Sequence, residues 1–131
     1  MSSCHCILLR KASRKVTALY DAALAPLGIS VAQYSLLRTI RHAAPVSLTD
    51  LAHRTDLDRS TIGRNTKLLE RMGLVSIAQG ADQREASLSL TGEGERILAE
   101  AAPLWDGAQR RIEAQLGPDA VDRLRDLLEA L

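Results

Sequence analysis

Apolar residues recur along this chain in changing rhythms. From about Ile7 to Ala25, Leu9, Ala12, Val16, Leu19 and Ala23 return at three- and four-residue intervals, the spacing that lines one face of a helix. Pro26 and Gly28 end that helix. The stretch "ISVAQYSLLRTIRHA" offers Ile29, Val31, Leu36, Leu37 and Ile40 for burial on a second helix, and "APV" breaks it. "SLTDLAHRTD" is predicted as a short third helix, capped by Ser47 with Asp50 three residues on, the pattern of a capping box. A turn at "TDLD" leads to a fourth helix over "DRSTIGRNTKLLERM", with Asp58 as its N-cap and Gly73 closing it.

The rhythm then changes. "LVSIAQ" and "EASLSL" alternate with a period of two, which predicts two short strands joined through "GADQR" as a hairpin with a polar tip. In "TGEGERILAEAAPLWDGAQRRIEAQLG" the helical spacing returns. Leu98, Ala101, Trp105, Ala108, Ile112 and Gln115 follow alternating steps of three and four, close to a heptad seam. Pro103 lies inside this segment, where its missing donor and its ring predict a kink or a split. Gly117-Pro118 reads as a stop and a restart, and Val121, Leu124, Leu128 and Leu131 give the last helix an apolar stripe.

Two helices, a helix-turn-helix, a hairpin, a long helix and a short one make a single domain over residues 1–131. The predicted class is mainly α with a small β-hairpin wing, an α+β winged helix-turn-helix, with the winged lobe at 29–91. The flanking helices, at 7–28 and 92–131, carry more apolar surface than so small a lobe can cover. Seams of this kind are usually buried against another copy of the chain, so these helices are the expected dimerisation region of a homodimer.

Composition narrows the choice of partner. The chain is 46% hydrophobic and 25% charged, ordinary for a globular protein. With 2% aromatics and no Phe, its core has to be built from Leu, Ile, Val and Ala. A net charge of +1 supplies no global field for nucleic acid, so any basic surface must be local. No apolar run approaches the roughly 18 residues of a membrane span, and the start is too short for a secretory signal. Two cysteines, Cys4 and Cys6, form no disulfide framework. A cytoplasmic protein with no membrane partner is expected. No phosphate loop, G-x-S-x-G, H-E-x-x-H or framed carboxylate pair is present, so neither an enzyme nor a cofactor is expected.

A local basic surface does exist, on the fourth helix. At about 100° per residue, Ser60, Arg64, Lys67 and Arg71 fall into one stripe, while Ile62, Leu69 and Met72 point the opposite way with Asn65 between them. Glu70 lies well off the stripe. The second helix of a helix-turn-helix enters the major groove with its N-terminal residues toward base edges. Ser60, Thr61, Arg64 and Asn65 are therefore the candidate readers, Arg suiting guanine and Asn adenine at about 1–3 kcal/mol of discrimination each. Lys67 and Arg71 are better placed for phosphates, and Arg59, off the stripe, for the backbone. A merely solvated charged face is the alternative. At the hairpin tip, Arg84 is a candidate for a narrow minor groove, with Asp82 bracing its guanidinium.

"LTDLAHRTDLDRSTIGRNTKLLERMGLV" followed by "ADQREASLSLTGEGE" resembles the winged-helix core of the MarR family of bacterial transcriptional regulators. The D-x-R ending at Arg84 and the L-T-x-x-G from Leu90 to Gly94 carry most of the likeness, and the flanking helices extend it over nearly the whole chain. The resemblance implies a homodimer made by the terminal helices, with two winged lobes on a pseudo-palindromic operator in double-stranded DNA. It also implies that a ligand or an oxidation event changes the lobe spacing and releases DNA, as expected of a repressor. Pro103 departs from a smooth dimer helix.

The family's ligand pocket lies between the dimer helices and the lobe. Arg10, Arg14, Tyr20, Tyr34, Arg38 and Trp105 are the candidates there for a small aromatic or carboxylate effector, an Arg pairing its carboxylate. The alternative signal is the N-terminal Cys4-His5-Cys6, whose thiolates and imidazole are soft-metal ligands. Three ligands in three residues do not match a closed zinc site, which wants four, so no metal site is predicted and oxidation of Cys4 and Cys6 beside Arg10 and Lys11 ranks ahead of metal. His42 and His53 have no partners at ligand spacing and read as surface or turn residues. A dimeric adaptor that binds no DNA remains as a rival, although it has no need of an acid-free stripe.

Overall fold

Each helix of the lobe begins where a short polar side chain takes up backbone donors that the first turn leaves over. The computed structural model describes residues 3–79 and 86–131. Helix α1 runs over His5–Leu24 and, after a single 3-10 turn at Ala25–Leu27, Gly28 at φ +72° lets the chain reverse into α2, Val31–Ala43. Ser30 caps α2: its hydroxyl accepts from the Gln33 N–H at 3.1 Å, and Gln33 Oε1 accepts from the Ser30 N–H at 2.9 Å. Asp21 of α1 accepts from the Val31 N–H at 2.8 Å, fastening the two helices at the same point.

Strand β1, Val46–Ser47, leads into α3, Leu48–Thr55. Ser47 accepts from the Asp50 N–H at 3.1 Å, as expected, but the Asp50 carboxylate accepts from Arg54 at 3.1 Å, so only half of a capping box forms. Asp56 in the left-handed region, φ +57°, ends α3, and Asp58 starts α4, Arg59–Arg71. Strands β2, Val75–Gln79, and β3, Ala86–Leu90, pair antiparallel. The hairpin tip, with Asp82 and Arg84, lies outside the described residues. Helix α5, Gly92–Leu116, and α6, Pro118–Glu129, complete the chain. The architecture is the mainly α winged helix-turn-helix that the pattern predicts.

Three details correct that pattern. The "APV" segment is more than a helix break: Val46 and Ser47 pair with Leu88 and Ser87 to give a three-stranded sheet in the order β1-β3-β2. Two residues are too few for a period of two to show. Pro103 does not split α5. It and Ala99, whose carbonyl loses its donor, both lie on the exposed side of the helix, where water can replace the bond. Met72, expected to be buried, is 37% exposed as the C-cap of α4, and Thr66 takes the inner position instead at 1%. Its hydroxyl donates to the Ile62 carbonyl at 2.8 Å, which makes a polar side chain tolerable there.

One core holds the lobe together. Leu37 and Ile40 of α2, Leu51 of α3, Ile62 and Leu69 of α4 and Leu88 of β3 are all fully buried. Ile97, Leu98 and Ala101 bring the first turns of α5 into the same cluster. The start of α5 is also clamped to the end of α4. Thr91 donates its hydroxyl to the Gly73 carbonyl at 2.6 Å, accepts from the Gly94 N–H at 3.0 Å, and gives its own N–H to the Leu74 carbonyl at 3.1 Å. Gly94 packs so closely that a Cβ there would stand 2.1 Å from that carbonyl oxygen.

The outer helices are covered far less. No residue of α6 is buried, and Leu124, Leu127 and Leu128 are exposed, as are Ile7, Leu8, Leu9 and Val16 on α1. Among the described residues, no helix is long and apolar enough to cross a membrane.

Candidate nucleic-acid interface

Helix α4 is seated by one side only. Ile62, Thr66 and Leu69 are buried against the lobe, which turns Ser60, Arg64, Lys67 and Arg71 outward, all exposed. The stripe inferred from periodicity is a physical ridge. Its first turn is organised by Asp58, which accepts from the Thr61 N–H at 2.7 Å and from the Ser60 hydroxyl at 3.1 Å. Hydrogen bonds from Thr61 and Ser60 hold the Asp58 carboxyl below its ordinary value. Arg64 reaches back to the Thr61 hydroxyl at 3.4 Å, a long contact that leaves most of its donors available.

The ion pairs found among the described residues lie elsewhere: Arg41–Glu95, Arg54–Asp50, Arg96 with Glu93 and Glu100, and Arg125–Asp122. None of them takes up Arg59, Arg64, Lys67 or Arg71. A ridge of cations that form no ion pair among the described residues, led by two hydroxyls, suits a polyanion whose floor carries donors and acceptors, as a DNA groove does.

Two candidates sit off the ridge. Asn65 is exposed but lines a narrow 130 Å³ cleft against α2, with Ser30, Gln33, Leu36 and Leu68 for neighbours. Arg59 lies on the opposite flank, in an open cleft with Thr49, His53 and Asp56 of the helix-turn-helix. Thr49 escaped sequence reasoning because a lone Thr in a short helix carries no periodic signal.

A second site lies between α2 and α5. Tyr34, Arg38, Arg41, Glu95, Leu98, Trp105 and Asp106 are among the residues that line an open cleft of 380 Å³. The rings of Tyr34 and Trp105 stand 5.8 Å apart at 31°, and the Arg38 guanidinium lies 5.1 Å from the Trp105 ring centre, within cation–π range. Burial raises the Tyr34 hydroxyl above its ordinary pKa; Arg38 opposes the shift and Asp106 adds to it. Arg41 Nε donates to Glu95 Oε2 at 2.8 Å across the cleft.

Of the effector candidates, Tyr34, Arg38 and Trp105 are thus brought together, and Arg10, Arg14 and Tyr20 are not. Arg10 and Arg14 are exposed on α1. Tyr20 is buried and donates its hydroxyl to Gln109 of α5, a tie between helices. Its pKa is raised by burial and then by Glu113. Arg41, Glu95 and Asp106 were missed. Charged residues on amphipathic helices look solvated until two such helices face each other. Cys4 caps the start of α1 and Cys6 lies in its first turn, both exposed. Among the described residues, no three His, Cys, Asp or Glu side chains are grouped to hold a metal ion.

Comparison with known proteins places this geometry. Residues 27–85 match the sequence model of the MarR family. The homoprotocatechuate degradative operon repressor of Escherichia coli is 32% identical over 98 residues, covering 74% of this chain and 66% of that protein. The chain therefore spans about two thirds of the length of that relative. Among solved structures, the Mycobacterium tuberculosis transcriptional regulator MosR in complex with DNA is 35% identical, with coverage of 98% and 96% and a TM-score of 0.84. A mutant Escherichia coli MarR complexed with operator DNA is 26% identical, with coverage of 94% and 89% and a TM-score of 0.87. The chain belongs to the MarR family of winged helix-turn-helix transcriptional regulators.

Proposed function

We propose that this protein is a homodimeric, sequence-specific DNA-binding repressor. Two copies of α4 enter successive major grooves of a pseudo-palindromic operator, about 34–36 Å apart. The carrying observation is the outward ridge of Ser60, Arg64, Lys67 and Arg71, which no ion pair among the described residues neutralises. The relatives support it: one is an operon repressor and two are seen on DNA. Arg64 reads a base, Lys67, Arg71 and Arg59 hold phosphates, and Arg84 with Asp82 serves the minor groove. Asn65 reads a base only if the groove reaches its flank of α4. The effector is a small aromatic carboxylate in the α2–α5 cleft, where Trp105 and Tyr34 offer rings and Arg38 and Arg41 offer donors.

Binding to a duplex selected from a random pool, compared with its scrambled sequence, tests the reading. Three phosphate-facing cations per protomer predict a fall of about a thousandfold in affinity between 50 and 200 mM salt. Equal affinity for the scrambled duplex, or indifference to salt, refutes it and leaves a protein-binding adaptor. Cysteine oxidation is a separate input to the same protein, since Cys4 and Cys6 are exposed where α1 begins. Peroxide treatment of the wild type and of a double Cys4→Ser, Cys6→Ser variant reports it: release from DNA in the wild type alone supports oxidation sensing.

A further inference from the structure

We propose that the Arg41–Glu95 ion pair is the trigger contact of the α2–α5 cleft, and that a bound carboxylate acts on α4 by taking Arg41 away from Glu95. The proposal rests on the effector reading above and names how that site is regulated.

The first turn of α5 is held in two unequal ways. Toward α4 the hold is rigid. The Thr91 hydroxyl bridges the Gly73 carbonyl and the Gly94 N–H, and Gly94 lies against the Leu74 carbonyl with no room for a methyl group. Gly73 and Leu74 directly follow Met72, the cap of α4, so the end of that helix and the start of α5 move together. Toward α2, the neighbouring residue Glu95 is held by one contact, the 2.8 Å ion pair with Arg41, whose side chains are 63% and 51% exposed. A pair that exposed shifts an equilibrium by up to about fivefold. It is the soft side of the joint.

The cleft sets up a competition. It contains two guanidinium groups, Arg38 and Arg41, and two carboxylates, Glu95 and Asp106. Arg38 is laid over the Trp105 ring. A carboxylate whose ring stacks beside Trp105 meets Glu95 as a competitor for the Arg41 fork. In a bidentate pairing the ligand takes the Nε edge of Arg41 that Glu95 now holds, and Glu95, half exposed, turns to water. Once Glu95 leaves, α2 holds the start of α5 through apolar packing at Ile97 and Leu98 alone, which biases the lobe toward a different tilt about the Thr91–Gly94 contact. The ligand thereby favours one arrangement of the recognition helices over another, as any effector must. By reciprocity, DNA weakens ligand binding by the factor with which ligand weakens DNA binding.

The test uses the full-length protein, benzoate as probe with neutral benzamide as control, and an operator selected from random duplex. Trp105 is the single tryptophan of the chain, so its fluorescence reports occupancy of the cleft directly. Wild-type protein is expected to be quenched by benzoate and to lose operator affinity, and benzamide to have neither effect. In Glu95→Gln, with no competitor for Arg41, benzoate binds about two- to fivefold tighter. Operator binding without ligand is weaker by a similar factor, and added benzoate has no further effect. A merely structural Glu95 leaves benzoate affinity unchanged, and a merely electrostatic one makes its neutralisation strengthen DNA binding. Arg41→Gln opens the pair from the other side and is expected to weaken operator binding while abolishing quenching. If Glu95→Gln still releases operator on benzoate by the wild-type factor, the trigger is overturned and the effector reading stands. If benzoate does not quench the wild type at all, both fall.

Discussion

Asp58 does two jobs whose signs conflict. Its carboxylate accepts from Thr61 and Ser60 and so completes the first turn of α4, yet it sets a negative charge at the lip of the surface proposed to face phosphates. The hydrogen bonds depress its pKa below the ordinary 3.8. The folded state therefore gains from the ionised form, and that gain is present above pH 3.8 and lost as pH falls through the lower folded value. Asp58→Ala is expected to lower the Tm by a few degrees at neutral pH. The gap from wild type should stay constant down to about pH 5 and close below 3.8, as followed by circular dichroism. On the ridge itself, Arg64→Ala should flatten preference at one base by about 1–3 kcal/mol. Lys67→Ala should instead weaken all duplexes alike and reduce the salt slope by about one per contact. Parallel titrations on matched and mismatched duplexes separate the two. Single residues with one-step rules were legible from sequence: Ser47 and Asp58 both cap as read. The Ser30–Gln33 box was not, because apolar Ile29 extended the helical rhythm past the true start of α2. Thr66 was missed since its burial depends on a bond to a backbone carbonyl, which periodicity does not weigh.

Elements were legible wherever one face meets the lobe core. The helical spacing marked α2, α4 and α5 within a residue or two, since each must bury a stripe against the others. β1 had no such signature: its pairing with β3 is a long-range event involving two residues. The α2–α5 cleft was half visible for a similar reason. Tyr34, Arg38 and Trp105 were noticed by chemistry, whereas Arg41 and Glu95 acquire meaning only because the two helices cross. The tightest joint between elements gives a direct check. Gly94→Ala forces a methyl group onto the Leu74 carbonyl and should cost about 2–3 kcal/mol, in the range of severe overpacking. Urea unfolding measures it. Gly92→Ala, two residues earlier with nothing within 4 Å, should stay close to wild type.

For the whole molecule, the largest unexplained surface is apolar. Leu124, Leu127 and Leu128 on α6 and Ile7, Leu8 and Leu9 on α1 are about half exposed within one chain, and the proposed homodimer would cover them. The double variant Leu124→Glu, Leu128→Glu should run as a monomer in size-exclusion chromatography with light scattering, and should bind a full operator no better than a half-site. Sequence predicted apolar stripes on the outer helices, and these are exposed; it could not say how two copies would mesh, because no periodicity in one chain records the register of another. The bare state of α6 has one more consequence. A 12-residue helix with no buried side chain is too short to persist alone in water, so in the proposed dimer the dilution that separates the protomers also melts the segment that rejoins them. Under that reading, promoter occupancy falls with the square of protein level below the concentration at which pairs form, and modest changes in synthesis or proteolysis become an on–off decision.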